Sequence, residues 1–513
     1  TILARDPTGQ KPLYIHESDD GIAFSSDINS LVHNKNLEKS FDRDSIIEYL
    51  AVSFISGPNT HIREIKKVLP GHYLKIGKDA KPENNRFLDL SFDDAFQGQD
   101  KQAVTEHLKD VIDQSCQETF NLEVPYALLL SGGLDSTVVM MKARAAGLNL
   151  KTYSIGFERD APPAGHDFEA NATKGSAPNG VNGINGSTAP ADKEDVKTSN
   201  SLVLSEFQYS DRLAEDYGTA HKKIIMTRND YMERLRQWID TTGEPHITPE
   251  APALLMLYDE IQKDGIKVVF TGSGVDELFD GYMNSSRMEG VPFDDFPKEY
   301  STLFTDHQSM QALLGDTSYV DVLMQRQAAR IDMDRDAVRS TDQLTTLADI
   351  YGCLAELEHR QMDLASMSNS VEARAPLSSV RLLHTAFSFD PSLRGFEKQI
   401  IKDAVSDIVP DWIINREKAW FPVPNYWATE SARDELTRYM TPCSPLHNMG
   451  LANMTEQDLE RIDDSLLLRL HVLGHLLDNQ AKFVHTPVVT NAPAREQDNE
   501  PVQQDTKPDA SFG

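Results

Sequence analysis

Between Tyr126 and Phe270 the chain alternates short apolar runs with amphipathic stretches. Tyr126-Ala127-Leu128-Leu129-Leu130 is apolar without polar interruption, the pattern of a strand buried on both faces. Thr137 to Arg144 then predicts a helix. Lys151 to Phe157 predicts a second strand, Phe207 to Tyr217 a helix, His221 to Ile225 a strand, and Ala253 to Lys263 a helix. Ile266 to Phe270 is a further strongly apolar strand. This alternation predicts the α/β class, with a doubly wound parallel sheet whose ligands bind beyond the carboxyl ends of the strands. Residues 1 to about 95 differ: alternating segments at Thr1–Ala4, Leu13–Ile15, Ile22–Ser25 and His72–Ile76 predict short strands, with one helix from Asp42 to Ala51 capped by Asp42. Two regions are thus expected, a β-rich one over 1–95 and an α/β one over 102–485. Arg159 to Asn200 is rich in Gly, Ala, Asn, Ser and Pro without periodicity, so a disordered insertion is expected over 159–200. The polar stretch Thr486–Gly513 reads as a disordered tail.

Composition narrows the function classes. A chain of 513 residues can hold two or three domains with real cores. Its net charge of -30 opposes nucleic acid and anionic membrane surfaces, both of which select basic patches. No apolar stretch is long enough to span a bilayer, and the chain opens on no signal peptide, so a cytoplasmic protein is expected. Cys116, Cys353 and Cys443 are far apart and form no CxxC pair, which suits a reducing compartment. Histidines such as His221, His359 and His384 show no metal-ligand spacing and read as surface or structural. Thr1 could be an N-terminal nucleophile. It runs straight into a strand pattern, so truncation of a longer chain is the simpler expectation.

The chemistry concentrates in two glycine turns. Ser131-Gly132-Gly133-Leu134-Asp135-Ser136 lies between a buried strand and a helix N-terminus, where free N–H groups and the helix dipole favour an anion. Asp135 would repel a bare phosphate but can hold a metal that carries one. No Gly-Lys-Ser/Thr follows, so this is not a Walker loop. It reads as a pyrophosphate grip of the kind used to cleave ATP to AMP, against an ordinary Gly-Gly turn as the plain alternative. The second turn, Thr271-Gly272-Ser273-Gly274-Val275-Asp276-Glu277, ends the strand 266–270 and adds two carboxylates. With Asp135 they could hold Mg²⁺, although acidic residues at a helix N-terminus are common for purely local reasons.

These and five further segments resemble the glutamine-hydrolysing asparagine synthetase family. Its SGGLDS motif is intact at 131–136, and its SGEGxDExFGGY loop is similar to Thr271 through Tyr282. Its SMxxSxExRxP segment resembles Ser366 to Pro376, and its RxKxxFxxP element resembles Arg416 to Pro424. Arg5–Tyr14, Phe24–Leu31 and Leu69–Leu74 resemble the back half of its glutaminase domain. The resemblance implies an ATP-pyrophosphatase domain of the adenine nucleotide α-hydrolase type, preceded by part of an Ntn-type glutaminase. It implies ATP and Mg²⁺, and an acyl-adenylate formed from aspartate or another carboxylate, then aminated by ammonia drawn from glutamine. It leaves room for a homodimer. By similarity, Leu130 and Ile155 hold adenosine, Ser131, Gly132, Gly133, Asp135, Ser136, Thr271 and Gly272 line the nucleotide, and Asp135 and Asp276 hold Mg²⁺. Lys418 neutralises developing charge, and Glu277, Glu372 and Arg374 shape the substrate pocket. Glu372 and Arg374 could equally form a purely structural pair.

The departures are specific. The family's N-terminal cysteine and upstream glutamine contacts are absent, so the chain as given is expected not to hydrolyse glutamine. Ser273 stands where the synthetases have glutamate, and a serine has no charge to offer as a base. Asp280 and Trp420 replace glycines, and Ser379 replaces an aspartate. Together they put the acceptor in question while sparing the ATP half. Two other readings therefore remain: an intramolecular amide-forming relative of the β-lactam synthetase kind, and an inactive homologue. Retention of Asp135, Asp276, Glu277 and Lys418 speaks against the last.

Overall fold

The computed structural model describes residues 1–18, 21–77, 81–88, 98–158, 203–282, 290–332, 340–418, 421–451 and 462–485, together with 96, 288 and 338 and apart from 205, 396, 422, 425, 440, 442 and 443. The expected insertion 159–200, the tail 486–513, Trp420 and Cys443 lie outside the described residues.

The first ninety residues form two three-stranded antiparallel sheets. The strands are β1 (Ile2–Ala4), β2 (Tyr14–Ser18), β3 (Gly21–Ser25), β4 (Ile65–Lys67), β5 (His72–Ile76) and β6 (Pro82–Arg86), ordered β1-β5-β6 and β3-β2-β4. Thr1 extends the first ladder, its amine donating to the Ile76 carbonyl at 3.0 Å. Helices α1 (Ile28–Val32) and α2 (Arg43–Val52) follow β3. Asp42 caps α2 as expected, its carboxylate accepting from the Ser45 amide at 2.9 Å. Strands β4 and β6 escape the sequence pattern because one is only three residues and the other, Pro-Glu-Asn-Asn-Arg, is wholly polar.

Helix α3 (Lys101–Phe120) leads into the α/β part. Its strands are β7 (Tyr126–Leu129), β8 (Lys151–Glu158), β9 (Val203–Leu204), β10 (Ala220–Met226), β11 (Val268–Phe270) and β12 (Glu372–Arg374). Five are parallel in the order β10-β8-β7-β11-β12, and β9 pairs antiparallel with β8. The chain builds outward from β7 to β10, then returns to the other side of β7 for β11 and β12. This reversal opens a crevice between the carboxyl ends of β7 and β11, the place where such sheets bind ligands. Strand β11 begins two residues later than its apolar run, and the Lys267 and Val268 amides share the Pro125 carbonyl at its start. Helix α4 (Leu134–Ala145) begins directly after the glycine turn.

One buried apolar core runs from Tyr14 and Ile46 through Val138 and Val268 to Leu477 and Val484. A charged seam crosses it. Glu356 accepts from Arg5 at 3.3 Å and from Lys67 at 2.5 Å, while Glu244 pairs with Arg360 and accepts from the Tyr14 hydroxyl at 2.6 Å. Such buried charges persist only when paired. Glu356 lies in a π-helical stretch, Ile350–Glu358, that continues into the helix His359–Met367. Wide turns of this kind recur at functional sites. Among the described residues no helix is long and apolar enough to cross a membrane.

Candidate active site

The two glycine turns meet. A Cβ built on Gly272 would lie 2.8 Å from the Ser136 amide nitrogen and 2.9 Å from the Asp135 carbonyl carbon, so only glycine lets the loop after β11 touch the loop after β7. Gly132 sits at φ +80°, and a Cβ there would lie 2.5 Å from that of Tyr209. The residue before α4, Gly133, has no side chain to cap the helix, which leaves the first amides of α4 without a capping side chain. Ser131 and Ser136 hydroxyls are 3.1 Å apart, and the Gly133 amide donates to Ser131 Oγ at 3.2 Å. Such an arrangement can receive an anionic group.

Charge is assembled around it from distant parts of the chain. Lys398 Nζ lies 2.8 Å from both Asp135 and Asp276. Lys418 Nζ lies 2.8 Å from Asp276, donates to the Gly281 carbonyl at 2.9 Å, and sits 4.5 Å above the Tyr282 ring. Arg416 donates to the Gly132 carbonyl at 2.7 Å, and Phe421 packs on Phe157 of β8 at 5.5 Å. Burial pushes both carboxyls up, but two ammonium groups hold Asp276 well below the usual range. Asp135, with burial and the Asp276 charge against it and mainly Lys398 in its favour, is raised instead. Two adjacent carboxylates form a donor set suited to Mg²⁺, with Lys398 as the cation that now compensates them.

A second set of acids lies behind. Glu277 accepts from the Tyr282 hydroxyl at 2.7 Å, and burial followed by the Asp276 and Glu358 charges raises it to about 8. Ser273 donates to Glu358 Oε1 at 2.8 Å, and Gln361 donates to Glu358 Oε2 at 2.7 Å. Burial raises Glu358 too, against those two hydrogen bonds. Glu250, beyond Gln361 and Thr248, is raised to about 7, first by burial. The site therefore holds carboxyl groups able to exchange protons near neutrality. A small cavity beside Thr271 is lined also by Gln10, Lys11, His359 and Ala375, bringing the N-terminal part to the site.

The structure thus gathers Ser131, Gly132, Gly133, Asp135, Ser136, Thr271, Gly272, Ser273, Asp276, Glu277 and Lys418. Ile155 is the fifth of the eight residues of β8, just past the part paired with β7, and β8 stands two strands from β11. The backbone of Leu130 is already engaged: its amide donates to Tyr153, and its carbonyl accepts from the Ser154 hydroxyl. Glu372 and Arg374 do not form a buried pocket pair. They bond each other at 2.9 Å while 44% and 31% exposed, and Arg374 reaches the Thr119 carbonyl near the end of α3, away from the Lys398 cluster. Two of the departures are local in effect. Asp280 has a left-handed backbone (φ +56°), which glycine adopts freely, and turns its carboxylate to buried Arg394 at 3.3 Å. Ser379 caps the helix Val380–Ser388, a role that aspartate fills equally well. Of the three departures among the described residues, Ser273 is the one that bonds to an acid of the crevice.

Sequence reasoning missed Lys398 and Glu358. Each follows no motif, and their partners lie 263 and 85 residues away. The backbone gives one sign of Lys398, since Glu397 and Lys398 are both left-handed, at φ +51° and +60°. Such strain collects at functional sites. The histidine reading named His221, His359 and His384 and did not reach one pair. His471 and His475 stand one helical turn apart and converge on Glu435; the i, i+4 spacing was the available signal.

Two family models match the chain: asparagine synthase over residues 107–179 and 186–482, and a glutamine amidotransferase domain over residues 1–87. Asparagine synthetase [glutamine-hydrolyzing] 1 of Bacillus subtilis (strain 168) is 23% identical over 461 residues, 83% of this chain and 66% of that protein. Asparagine synthetase [glutamine-hydrolyzing] 3 of the same organism is 25% identical over 445 residues, 82% of this chain and 64% of that protein. Amidase chry2 of Gibberella zeae is 24% identical over 287 residues, 55% of this chain and 38% of that protein. The chain thus spans just under two thirds of the length of the two synthetases.

Proposed function

The chain belongs to the asparagine synthase family, and on that premise we propose that it is an ATP-dependent, amide-forming ligase. The observation that carries this reading is the joining of the two strand-end turns by Lys398, which clasps Asp135 and Asp276, with Lys418 on the same Asp276. In the proposed reaction a substrate carboxylate oxygen attacks the α-phosphorus of ATP, and pyrophosphate leaves. Ammonia then attacks the acyl carbon, AMP leaves with the electron pair of the broken C–O bond, and one proton passes from nitrogen to a base.

Asp135 and Asp276 would hold Mg²⁺, which shields phosphate charge when bound. The uncapped start of α4 and the Ser131 and Ser136 hydroxyls receive the pyrophosphate oxygens. Lys418 and Lys398 offset the charge that develops as the phosphate bond breaks, in a site partly shielded from water. Glu358 supplies the carboxylate that Ser273 lacks: the Ser273 hydroxyl donates to it, so a raised, buried acid stands one hydrogen bond behind the position of the family glutamate. Leu130 and Ile155 would flank adenosine, and Thr271 and Gly272 the phosphates. The 102–485 part is then an ATP-pyrophosphatase-type domain, the 1–95 part belongs to an Ntn-type glutaminase domain, and aspartate is the acceptor we favour, in the cytoplasm.

Pyrophosphate exchange into ATP, measured with Mg²⁺ and aspartate, tests the proposal. Exchange is expected to require aspartate and to fall by about 100-fold or more in Lys418→Ala. Ammonia should then yield asparagine. Failure of the protein to bind MgATP would overturn the ligase reading. The Ser273 change favours one second reading, a ligase whose nucleophile is an amine of the substrate itself. It would give MgATP binding without aspartate-dependent exchange.

A further inference from the structure

The helix Tyr426–Tyr439 packs on the helix Asp464–Gln480. On their facing sides stand Glu435 from the first helix and His471 and His475 from the second. Glu435 Oε2 lies 3.0 Å from His475 Nε2 and 3.7 Å from His471 Nδ1, and the three ligand atoms fall within 4.8 Å of one another. A hydrogen bond between Glu435 and His475 would by itself tie the helices. It does not account for His471, whose side chain is 5% exposed and whose Nδ1 is buried without a hydrogen-bond partner while facing the same carboxylate oxygen. Buried polar atoms left in this way call for an explanation.

We propose that Glu435, His471 and His475 form a divalent transition-metal site, with Zn²⁺ the ion that fits. A tetrahedral zinc with bonds of about 2.0–2.1 Å to nitrogen and oxygen sets its ligand atoms about 3.3 Å apart, and the two separations given above straddle that value. Two imidazoles and one carboxylate are a three-ligand zinc set with a fourth position for water. Glu435 and His475 are each about a third exposed, so that position opens to solvent. Arg438 beside Glu435 and Arg236 near His471 weaken the attraction for a cation. The bound ion would clip together two helices, one of which begins shortly after Lys418 and anchors Trp427 against Phe157 and Tyr231.

The test is calorimetric titration of the chelator-stripped, full-length protein with Zn²⁺ alone, beside the visible spectrum after adding Co²⁺. About one equivalent should bind with a dissociation constant of about 10 μM or tighter, and Co²⁺ should give the intense absorption of a tetrahedral site. Glu435→Gln keeps an acceptor for His475, so the helices stay joined, yet Zn²⁺ should bind about ten-fold or more weakly, as it should in His471→Ala. Asp276→Asn, in the nucleotide crevice, should leave this equivalent unchanged. The proposal is overturned if the wild-type protein takes up no Zn²⁺ at these concentrations, or if Glu435→Gln binds it as tightly as wild type.

Discussion

Lys398→Met isolates the electrostatics of the crevice. In the folded chain its ammonium lies 2.8 Å from both Asp135 and Asp276, so the two nearest carboxylate oxygens are at most twice 2.8 Å, about 5.6 Å, apart. Both side chains are about a fifth exposed, so an effective dielectric of about 20 is appropriate. Two unit charges at that separation then repel by about 3 kcal/mol. Escape by protonation at pH 7 costs about 4 kcal/mol for a carboxyl of ordinary pKa and less for Asp135, which burial and the Asp276 charge already raise, so it sets an upper limit on the loss. That repulsion is present in the wild type too, where the Lys398 ammonium offsets it; removing the cation from two largely buried acids costs about 3 kcal/mol net, the low end of the range for a broken buried pair, because the lysine's own desolvation cost is no longer borne. Lys398→Met should therefore unfold about 3 kcal/mol more easily in urea, followed by tryptophan fluorescence. Mg²⁺ without nucleotide should restore much of that loss, because it replaces the missing cation between the same two acids. By the same reasoning the variant should bind free Mg²⁺ at least about ten-fold more tightly than the wild type. A variant within about 0.5 kcal/mol of wild type, and indifferent to Mg²⁺, would refute the idea that these carboxylates are held together by Lys398.

Three other outcomes are expected. Gly272→Ala forces a methyl onto the Asp135–Ser136 backbone and should lower MgATP affinity by about ten-fold or more with a stability loss of about 1–3 kcal/mol; unchanged nucleotide binding by calorimetry would show that the turns need not touch. Asp349, bonded to the Tyr300 hydroxyl, is raised by burial to about 7, so the folded state holds a proton that the unfolded state releases above about pH 4. Stability is then greatest below that pH and declines as pH rises to about 7, by up to about 1.4 kcal/mol per unit; Asp349→Asn should flatten this slope in urea curves taken from pH 5 to 8. Glu356→Gln leaves Arg5 and Lys67 buried with one anion fewer and should cost about 3–5 kcal/mol, while Lys67→Met in the same chain should return part of it; strict additivity of the two losses would sink the charged-seam account.

What the sequence determined is the local and the repetitive. The unbroken apolar run 126–130 and the glycines after it place β7, its turn and the start of α4, because burial on both faces and a tight turn leave few other residues acceptable. Asp42 marks the start of α2 for the same reason: a cap is satisfied within three residues. The two glycine turns and Lys418 were legible because motif spacing carries them. Tertiary structure decided the rest. Lys398 answers to Asp135 across 263 residues, Glu358 to Ser273 across 85, and Glu356 to Lys67 across 289. No local pattern encodes such a pairing, since each side chain alone is an ordinary polar residue in a helix or turn. Only the packing that removes it from water makes its charge costly, and the partner that offsets this cost is chosen by the fold as a whole.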